Sequence, residues 1–207
     1  MQSLRGRPGR YPMVIHDWHL FVLAYLIGSF PTAYVATRIV TGKDIRTLGD
    51  GNMGARNVAR CVGWAPGVLV GVVDILKGAL VVKIAQAWPV SDGALLVIAL
   101  CVTLGHDFSL FTRLRGGQGM ATILGVSGVL FPQETVLSLA AFAVILAFSH
   151  NWDLSCGVAC VVLVGLMAAG QPPRRLLFPF LLLPTIGGSK LIHRWQAAHQ
   201  PAHVSGR

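Results

Sequence analysis

Residues 43–60 read KDIRTLGDGNMGARNVAR and form a long polar segment between apolar runs at about 18–40 and 63–88. Glycine permits positive φ and a close approach of backbone to a ligand, and this segment contains three glycines. Successive N–H groups in such a loop can bind an anion, a following helix N-terminus adds its dipole, and arginine donates in a fork that fits phosphate. The segment therefore favours a phosphate site at the membrane interface. A basic loop that only sets topology and touches lipid headgroups explains it about equally well.

The composition indicates a membrane protein. Of 207 residues, 54% are hydrophobic and only 12% are charged, with a mean hydropathy of +0.64. Soluble domains carry about 25% charged residues, and here the apolar residues come in long runs. Because lipid-exposed backbone must satisfy its own hydrogen bonds, these runs predict an all-α integral membrane protein. The net charge of +9 could indicate nucleic acid, but the cations cluster at the ends of apolar runs, which favours membrane lipids as partners and no nucleic acid.

The apolar runs also set the domain organisation. We predict a disordered basic tail at 1–17, a single transmembrane domain at 18–196 and a C-terminal tail at 197–207. About seven transmembrane helices are expected, and because several are near or below ~20 residues the count is open by one or two. Pro31 is expected to kink the first span, and Pro132 to divide the long apolar stretch around it. The spans are expected at about 18–40, 63–88, 93–111, the two halves of 120–148, 154–170 and 176–192.

Seven spans would place three polar regions on one side of the membrane: the segment 43–60, a second polar segment at 105–119, and the C-terminal end. That side would hold ten lysines and arginines, and the opposite side five. The positive-inside rule then predicts glycine-rich loops in the cytoplasm and the N-terminus outside. The basic N-terminal tail argues for the opposite orientation.

The cysteines and the charges inside the spans have structural interpretations. The four cysteines lie in or beside apolar runs without paired CxxC spacing, so buried inert thiols are expected, with no metal ligands or disulfides. The second span contains Asp74 and Lys77, three residues apart and therefore on one helix face. Charges at membrane depth are costly and usually point into the protein. We favour a structural ion pair over direct substrate contact for these two side chains.

The second polar segment reads GHDFSLFTRLRGGQG and ends in a glycine-rich turn at 116–119. It contains His106, and His193 lies at the end of the last span. With the segment 43–60, these residues would bring glycines, amides, arginines and two imidazoles to one face, as a phosphate-handling site needs. The bland alternatives are a histidine satisfied by backbone and water, and a glycine turn that only lets helices pack closely. The sequence has no GxSxG elbow, HExxH helix or HxxxxD pair.

Three long motifs occur in register. They are YLIGSFPTAYVATRIVTGKDIRTLGDGNMGARNVAR at 25–60, VVDILKG at 72–78 and GHDFSLFTRLRGGQGMAT at 105–122. Together they resemble the acyl-phosphate-dependent glycerol-3-phosphate acyltransferases of bacterial membranes, the PlsY-type family, and three motifs are far more specific than one. The resemblance implies a multi-pass enzyme of the bacterial inner membrane whose motif loops face the cytoplasm. It would transfer a fatty acyl group from acyl phosphate to the sn-1 hydroxyl of glycerol 3-phosphate, giving lysophosphatidic acid and inorganic phosphate for phospholipid biosynthesis.

The resemblance also implies roles for individual residues. His193 would lie beside glycerol 3-phosphate, His106 would orient the site, and Arg60 completes the catalytic candidates. Acyl phosphate is a mixed anhydride with a good leaving group, so the protein mainly has to hold two phosphates and align an alcohol with a carbonyl, with no cofactor or metal. The proton could pass to a histidine or to a substrate phosphate. The expected phosphate-binding residues are Gly49, Asp50, Gly51, Asn52, Gly54, Arg56, Asn57, Gly116, Gly117, Gln118 and Gly119.

Four positions depart from the family's motifs. Asp50 stands where the family has serine, Arg56 where it has threonine, Gln118 where it has lysine, and Gln196 where it has asparagine. Asp50 would repel a phosphate. We hypothesise that Asp50 and Arg56 compensate as a local ion pair, with Arg56 replacing the cation lost at position 118.

Two other functions remain open from the sequence. The four departures are compatible with a non-catalytic relative that binds a phosphorylated lipid or ligand. A small transporter is the second alternative, and for it Asp74 and Lys77 would be the pathway charges.

Overall fold

The computed structural model describes residues 17–198, and within this range the chain forms α-helices and short 3-10 turns without a β-strand. The predicted all-α class is therefore confirmed. The tails expected at 1–17 and 197–207 fall almost entirely outside the described residues. The helices are α1 (Trp18–Ser29), α2 (Thr32–Thr41), α3 (Ala55–Cys61), α4 (Trp64–Gln86), α5 (Asp92–Asp107), α6 (Met120–Leu130), α7 (Pro132–Ser149), α8 (Trp152–Gly170) and α9 (Leu177–Ala198).

Several of these elements can cross a membrane. In the described part of the chain, four helical segments are long and apolar enough to do so. α6 is apolar but has only 11 residues, which is shorter than the ~20 residues of a full crossing. The count of seven spans stays a prediction. The four segments are Trp18–Thr41, Asp92–Thr112, Pro132–Ser149 and Trp152–Gly170.

The first apolar segment breaks where the sequence places Pro31. α1 ends at Ser29 and α2 begins just after the proline, which has no N–H to continue the helix. At the break, the carbonyl oxygen of Ser29 accepts a hydrogen bond from the Ser109 hydroxyl at 2.5 Å. The carbonyl oxygen of Phe30 accepts one from the ammonium group of Lys77 at 3.4 Å. Donors from α4 and from the segment after α5 thus satisfy the carbonyl groups at the break, as membrane depth requires.

The apolar core has two parts. The larger cluster lies among α1, α4, α5, α6, α8 and α9 and includes Ala24, Val82, Val102 and Val126, all of which are buried. The smaller cluster lies beneath the polar segment 43–60 and packs that segment onto α2 and α4. Its buried members are Ala33, Ile45, Met53, Val58 and Val70. The polar loop is therefore anchored by its own apolar side chains.

Glycines bring two helix pairs into backbone contact. Between α4 and α6, a Cβ added at Gly78 would overlap the carbonyl oxygen of Thr122, and one added at Gly125 would overlap that of Ile75. The pair α1 and α5 is built in the same way at Gly28 and Gly105. Small residues are what allow membrane helices to approach so closely. These contacts fix the central helices that carry the polar loops.

The helices α7 and α8 form a peripheral hairpin. They pack chiefly against each other, and only 11% of each apolar window is buried inside the protein. Pro132 begins α7, so the expected division of the long apolar stretch is confirmed. Much of the hairpin surface is apolar and exposed, as a lipid-facing surface is.

The four cysteines are free thiols in the structure, and the expectation that all four are buried is wrong. Cys61 is exposed, because it is the last residue of the short helix α3 and lies at the polar loop rather than in a span. The other three are partly buried.

We expect Gly125→Val to separate α4 from α6, because the new side chain would collide with backbone that cannot move aside. Overpacking of this kind costs ~1–3 kcal/mol, and a loss in that range is expected from the thermal unfolding midpoint of the detergent-solubilised protein. Gly128→Val is the matched control, since it lies on the same helix and an added Cβ meets nothing within 4 Å. Equal losses from both variants would contradict the close-packing interpretation.

Candidate functional site

The loop before α3 is shaped by the side chain of Asn57. This buried amide donates from Nδ2 to the carbonyl oxygens of Leu48 at 3.0 Å and Asn52 at 2.9 Å. Its Oδ1 accepts from the backbone N–H of Asp50 at 3.4 Å. Gly49 has a φ of +58°, and a Cβ there would overlap the Asn57 amide. In this conformation Asn57 organises the loop rather than presenting its amide to a ligand.

Asp50 and Arg60 face each other across this loop. Oδ2 of Asp50 lies 2.5 Å from Nη2 of Arg60, and Oδ1 accepts from the backbone N–H of Asn52 at 3.1 Å. A second, longer contact joins Arg60 Nη2 to Oδ1 of Asn57 at 3.4 Å. Both side chains of the ion pair are about half exposed, at 54% for Asp50 and 51% for Arg60. The anion-binding groups of the loop are therefore directed at a carboxylate of the chain itself.

The expected ion pair between Asp50 and Arg56 does not form, and that hypothesis is wrong. Arg56 lies 3.7 Å from Asp153 and its guanidinium stacks 5.4 Å from the ring centroid of Trp152. Side chains on a helix lean toward its N-terminus, so Arg60 in the last turn of α3 reaches back to the loop. Arg56, in the first turn, contacts the start of α8 instead. The guanidinium of Arg56 therefore links α3 to the hairpin α7–α8.

α3 has only seven residues, which limits the contribution of its dipole to an anion site. The loop N–H groups and the guanidinium of Arg60 are the stronger features there. At Gly51 the φ of +71° lies in the left-handed region, and the Gly51 N–H closes a turn by donating to the carbonyl oxygen of Leu48 at 3.0 Å.

The glycine turn at 116–119 packs directly on the end of α5. The N–H of Gly117 donates to the carbonyl oxygen of His106 at 3.1 Å, and a Cβ at Gly117 would overlap the imidazole ring. A Cβ at Gly116 would overlap the carbonyl oxygens of His106 and Asp107. Gly119 has a φ of +68° and leads into α6. Close packing accounts for these glycines, and it also places the partly buried Gln118 within the same turn.

A hydrogen bond joins the two polar segments. The N–H of Met53 donates to the carbonyl oxygen of Gly116 at 3.3 Å, although the two residues lie far apart in the sequence. The loop that holds Asp50 and Asn52, to which Arg60 of α3 reaches back, is therefore next to the turn that holds Gly117. The expected meeting of these segments at one end of the helices is observed.

Arg46 makes a second link that the sequence analysis missed. It forms a bidentate ion pair with Asp44, with distances of 2.7–3.1 Å, and donates to the carbonyl oxygen of Thr112 at 3.3 Å. Its guanidinium also lies 5.4 Å from the ring centroid of Tyr34. The Arg46 guanidinium holds the pKa of Asp44 below its usual range, chiefly through their side-chain hydrogen bond. The Asp-x-Arg spacing could have indicated the ion pair, but only the fold supplies the carbonyl.

A buried polar cluster lies beneath the loops. Asp74 and Lys77 form the predicted ion pair along α4, with Oδ1 and Nζ 2.9 Å apart and both side chains buried. The same Oδ1 accepts from the hydroxyl of Thr32 at 3.1 Å and lies 3.7 Å from Nδ1 of His106. Lys77 also donates to Phe30 at the break between α1 and α2. The pair thus holds the broken helix to α4 and contacts the imidazole below the glycine turn.

Asp107 is a further buried residue that the sequence analysis did not single out. It follows His106 at the end of α5, and its buried carboxylate lies near Ser189 of α9 and near Gly119. Asp107 therefore lies where the end of α5 packs against the helix that carries His193. The backbone of His193 belongs to α9, but its side chain lies outside the described part of the structure, as does that of Gln196.

The described residues contain no group of three or more His, Cys, Asp or Glu side chains that could hold a metal ion. The arrangement is instead one of backbone donors, arginines and an imidazole at the end of a helical membrane domain. Such groups bind anionic oxygen and stabilise charge that develops on it. Fold and site together define a class: helical membrane proteins that handle a phosphorylated substrate where the helices end.

Comparison with known proteins makes the assignment specific. The family model described as "Glycerol-3-phosphate acyltransferase" matches residues 18–197, nearly the whole described domain. The chain belongs to the glycerol-3-phosphate acyltransferase family.

Two sequence relatives illustrate the similarity. A "Glycerol-3-phosphate acyltransferase 2" of Dehalococcoides mccartyi is 37% identical over 163 residues, covering 78% of this chain and 78% of its own. A "Glycerol-3-phosphate acyltransferase" of Thermus thermophilus is 39% identical over 171 residues, covering 80% and 82%.

Two solved structures are also similar. The crystal structure of PlsY, an integral membrane glycerol 3-phosphate acyltransferase, in its glycerol 3-phosphate form matches with a TM-score of 0.78 at 29% identity, covering 90% of this chain and 94% of that chain. The lysophosphatidic acid form matches with a TM-score of 0.73 at 28% identity. The integral membrane class is therefore established together with the family.

We expect Asp74→Asn or Lys77→Met alone to destabilise the protein by about 3–5 kcal/mol, because each leaves a buried charge without its partner. The double variant should lose less than the sum of the two, since neither charge then remains. Thermal or denaturant unfolding in detergent measures all three. The exposed pair of Asp92 and Arg174, 3.2 Å apart, is the control, and breaking it should cost at most about 1 kcal/mol. Strict additivity of the two buried substitutions would contradict the ion-pair interpretation.

Proposed function

We propose that this protein transfers a fatty acyl group from acyl phosphate to the sn-1 hydroxyl of glycerol 3-phosphate, giving lysophosphatidic acid and inorganic phosphate. Membership of the family and the likeness to the glycerol 3-phosphate form of PlsY support this activity. The structural observation that carries the proposal is the hydrogen bond between Met53 and Gly116. It brings two phosphate-binding candidates, the loop 49–57 and the turn 116–119, next to each other, as a site that holds two phosphorylated substrates requires.

The reaction needs alignment more than it needs a nucleophile from the protein. The hydroxyl oxygen of glycerol 3-phosphate attacks the acyl carbon, the bond from that carbon to the phosphate oxygen breaks, and phosphate leaves with the electron pair. The hydroxyl proton goes to a substrate phosphate or to a histidine. Holding both phosphates in place supplies most of the advantage, since positioned reactants avoid the entropic cost of meeting.

Roles follow for the candidate residues. Arg60 lies within reach of the loop, and the backbone N–H groups of Asn52 and Gly54 would donate to a phosphate beside it. The N–H of Gly51 already donates to the carbonyl oxygen of Leu48 at 3.0 Å, so Gly51 would shape the loop. The turn of Gly116, Gly117, Gln118 and Gly119 forms the other side of the proposed site. His106 lies beneath this turn, with Nδ1 3.7 Å from Asp74, and would orient the turn rather than touch the reacting atoms. His193 is proposed as the histidine beside glycerol 3-phosphate.

We place the protein in the bacterial cytoplasmic membrane, crossing it about seven times with the motif loops facing the cytoplasm. The excess of lysine and arginine on the loop side supports this orientation, because such residues are retained on the cytoplasmic side.

The two other functions weighed from the sequence are less well supported. A transporter would need Asp74 and Lys77 along a pathway, whereas in the structure both are committed to each other and to the helix break. A binding protein without turnover would keep the loop geometry, and the contact of Asp50 with Arg60 is the observation in its favour.

Reconstitution in vesicles separates these functions. With palmitoyl phosphate and labelled glycerol 3-phosphate, we expect formation of labelled lysophosphatidic acid and an equal amount of inorganic phosphate. Binding of glycerol 3-phosphate without product would favour the non-catalytic relative, and accumulation of label inside vesicles without acylation would favour a transporter. Empty vesicles and heat-denatured protein are the controls.

Arg60→Ala should lower kcat/KM by about 10- to 150-fold, which corresponds to the ~1.5–3 kcal/mol of a hydrogen bond to a charged group. Arg60→Lys should restore only part of this, because lysine lacks the forked donors. The control is Arg174→Ala. Arg174 pairs with Asp92 at the start of α5, the end of that helix opposite the site, so its loss should leave kcat/KM unchanged. An Arg60→Ala enzyme with unchanged kcat/KM would exclude Arg60 from phosphate binding.

A further inference from the structure

The loop before α3 is already occupied by an anion from the chain. Asp50 uses both carboxylate oxygens: one lies 2.5 Å from Nη2 of Arg60, and the other accepts the N–H of Asn52 at 3.1 Å. A guanidinium and a loop N–H are the donors that a phosphate entering between the loop and α3 would need. The carboxylate therefore sits where a ligand oxygen would sit.

The surroundings allow this carboxylate to leave. The side chains of Asp50 and Arg60 are about half exposed, so rotation of the Asp50 side chain moves the carboxylate into water without disturbing the packed core. Arg60 keeps a contact with Oδ1 of Asn57 at 3.4 Å, and Asn57 keeps its bonds to Leu48 and Asn52. The loop consequently holds its shape when Asp50 moves.

We propose that Asp50 is an internal competitor for the phosphate subsite: its carboxylate binds Arg60 and the Asn52 N–H when the site is empty, and a substrate phosphate has to displace it. This rests on the proposed function, since that function makes the loop a phosphate subsite. An exposed ion pair shifts such an equilibrium by at most about fivefold, so the competitor weakens binding moderately and does not abolish it. The same carboxylate reoccupies the donors as phosphate departs.

Displacement has a signature that a stationary negative charge lacks. If the carboxylate must move away before any anion binds, the free energy of moving it weakens the binding of every anion equally, whatever the charge of that anion. If Asp50 instead stays in place and repels the ligand, a dianion is repelled about twice as strongly as a monoanion. Methyl phosphate and dimethyl phosphate are small probes that differ mainly in this charge, because phosphomonoesters are close to dianionic above their second pKa of about 6.

The experiment measures the dissociation constants of both probes by calorimetry on the full-length protein in detergent at pH 7.5. We expect Asp50→Asn to tighten both probes by the same factor, about two- to fivefold. Asp50→Ser also removes the charge and should give the same factor, which guards against a folding defect in either variant. Asp92→Asn is the control, because it also removes a carboxylate paired with arginine, but at the opposite end of α5.

Three results would overturn the proposal. Unchanged affinities in both Asp50 variants would mean that the carboxylate does not compete. A clearly larger gain for methyl phosphate than for dimethyl phosphate would indicate repulsion by a stationary charge. Weaker binding of both probes would make Asp50 a residue that positions Arg60.

The outcome can be separated from that of the proposed function. Wild-type protein that binds methyl phosphate but gives no lysophosphatidic acid would contradict the acyltransferase activity and leave the affinity comparison valid. Wild-type turnover with unchanged affinities in the Asp50 variants would uphold the activity and refute the internal competitor.

Discussion

A helix that breaks at membrane depth has to find hydrogen-bond donors for the carbonyl groups at the break, because lipid offers none. Here the break at Pro31 receives the Ser109 hydroxyl and the ammonium group of Lys77. Lys77 in turn requires Asp74, and Asp74 contacts Thr32 and His106. The buried charges are thus consequences of the broken helix. The direction of α2, and with it the position of the loop 43–60, depends on them.

The positions of the long apolar helices along the chain follow closely from the sequence. Long apolar runs, the prolines at 31 and 132 and the polar connections between runs predicted the helices, since each depends on nearby residues alone. The pairing of Asp74 with Lys77 was likewise predictable, because residues three apart share a helix face.

The contacts between distant segments could not be predicted in this way. The hydrogen bond from Met53 to Gly116 is made by two backbone groups, so the identity of the side chains does not indicate it. The motif suggests Arg56 as the ion-pair partner of Asp50. In the structure the partner is Arg60, because side chains on α3 point back toward the N-terminus of the helix. The role of Arg56 depends on α8, about a hundred residues away, and no local pattern contains that information.

The stacking of Arg56 on Trp152 has a consequence for how the protein sits in the bilayer. Indole rings prefer the zone between hydrocarbon and water, and a guanidinium above the ring extends into the aqueous layer. Trp152 begins the lipid-exposed helix α8, while Arg56 belongs to the helix that closes the loop of Asp50 and Arg60. A ring at that depth would hold the polar loops level with the headgroups, where a water-soluble alcohol and an acyl chain embedded in lipid can reach each other.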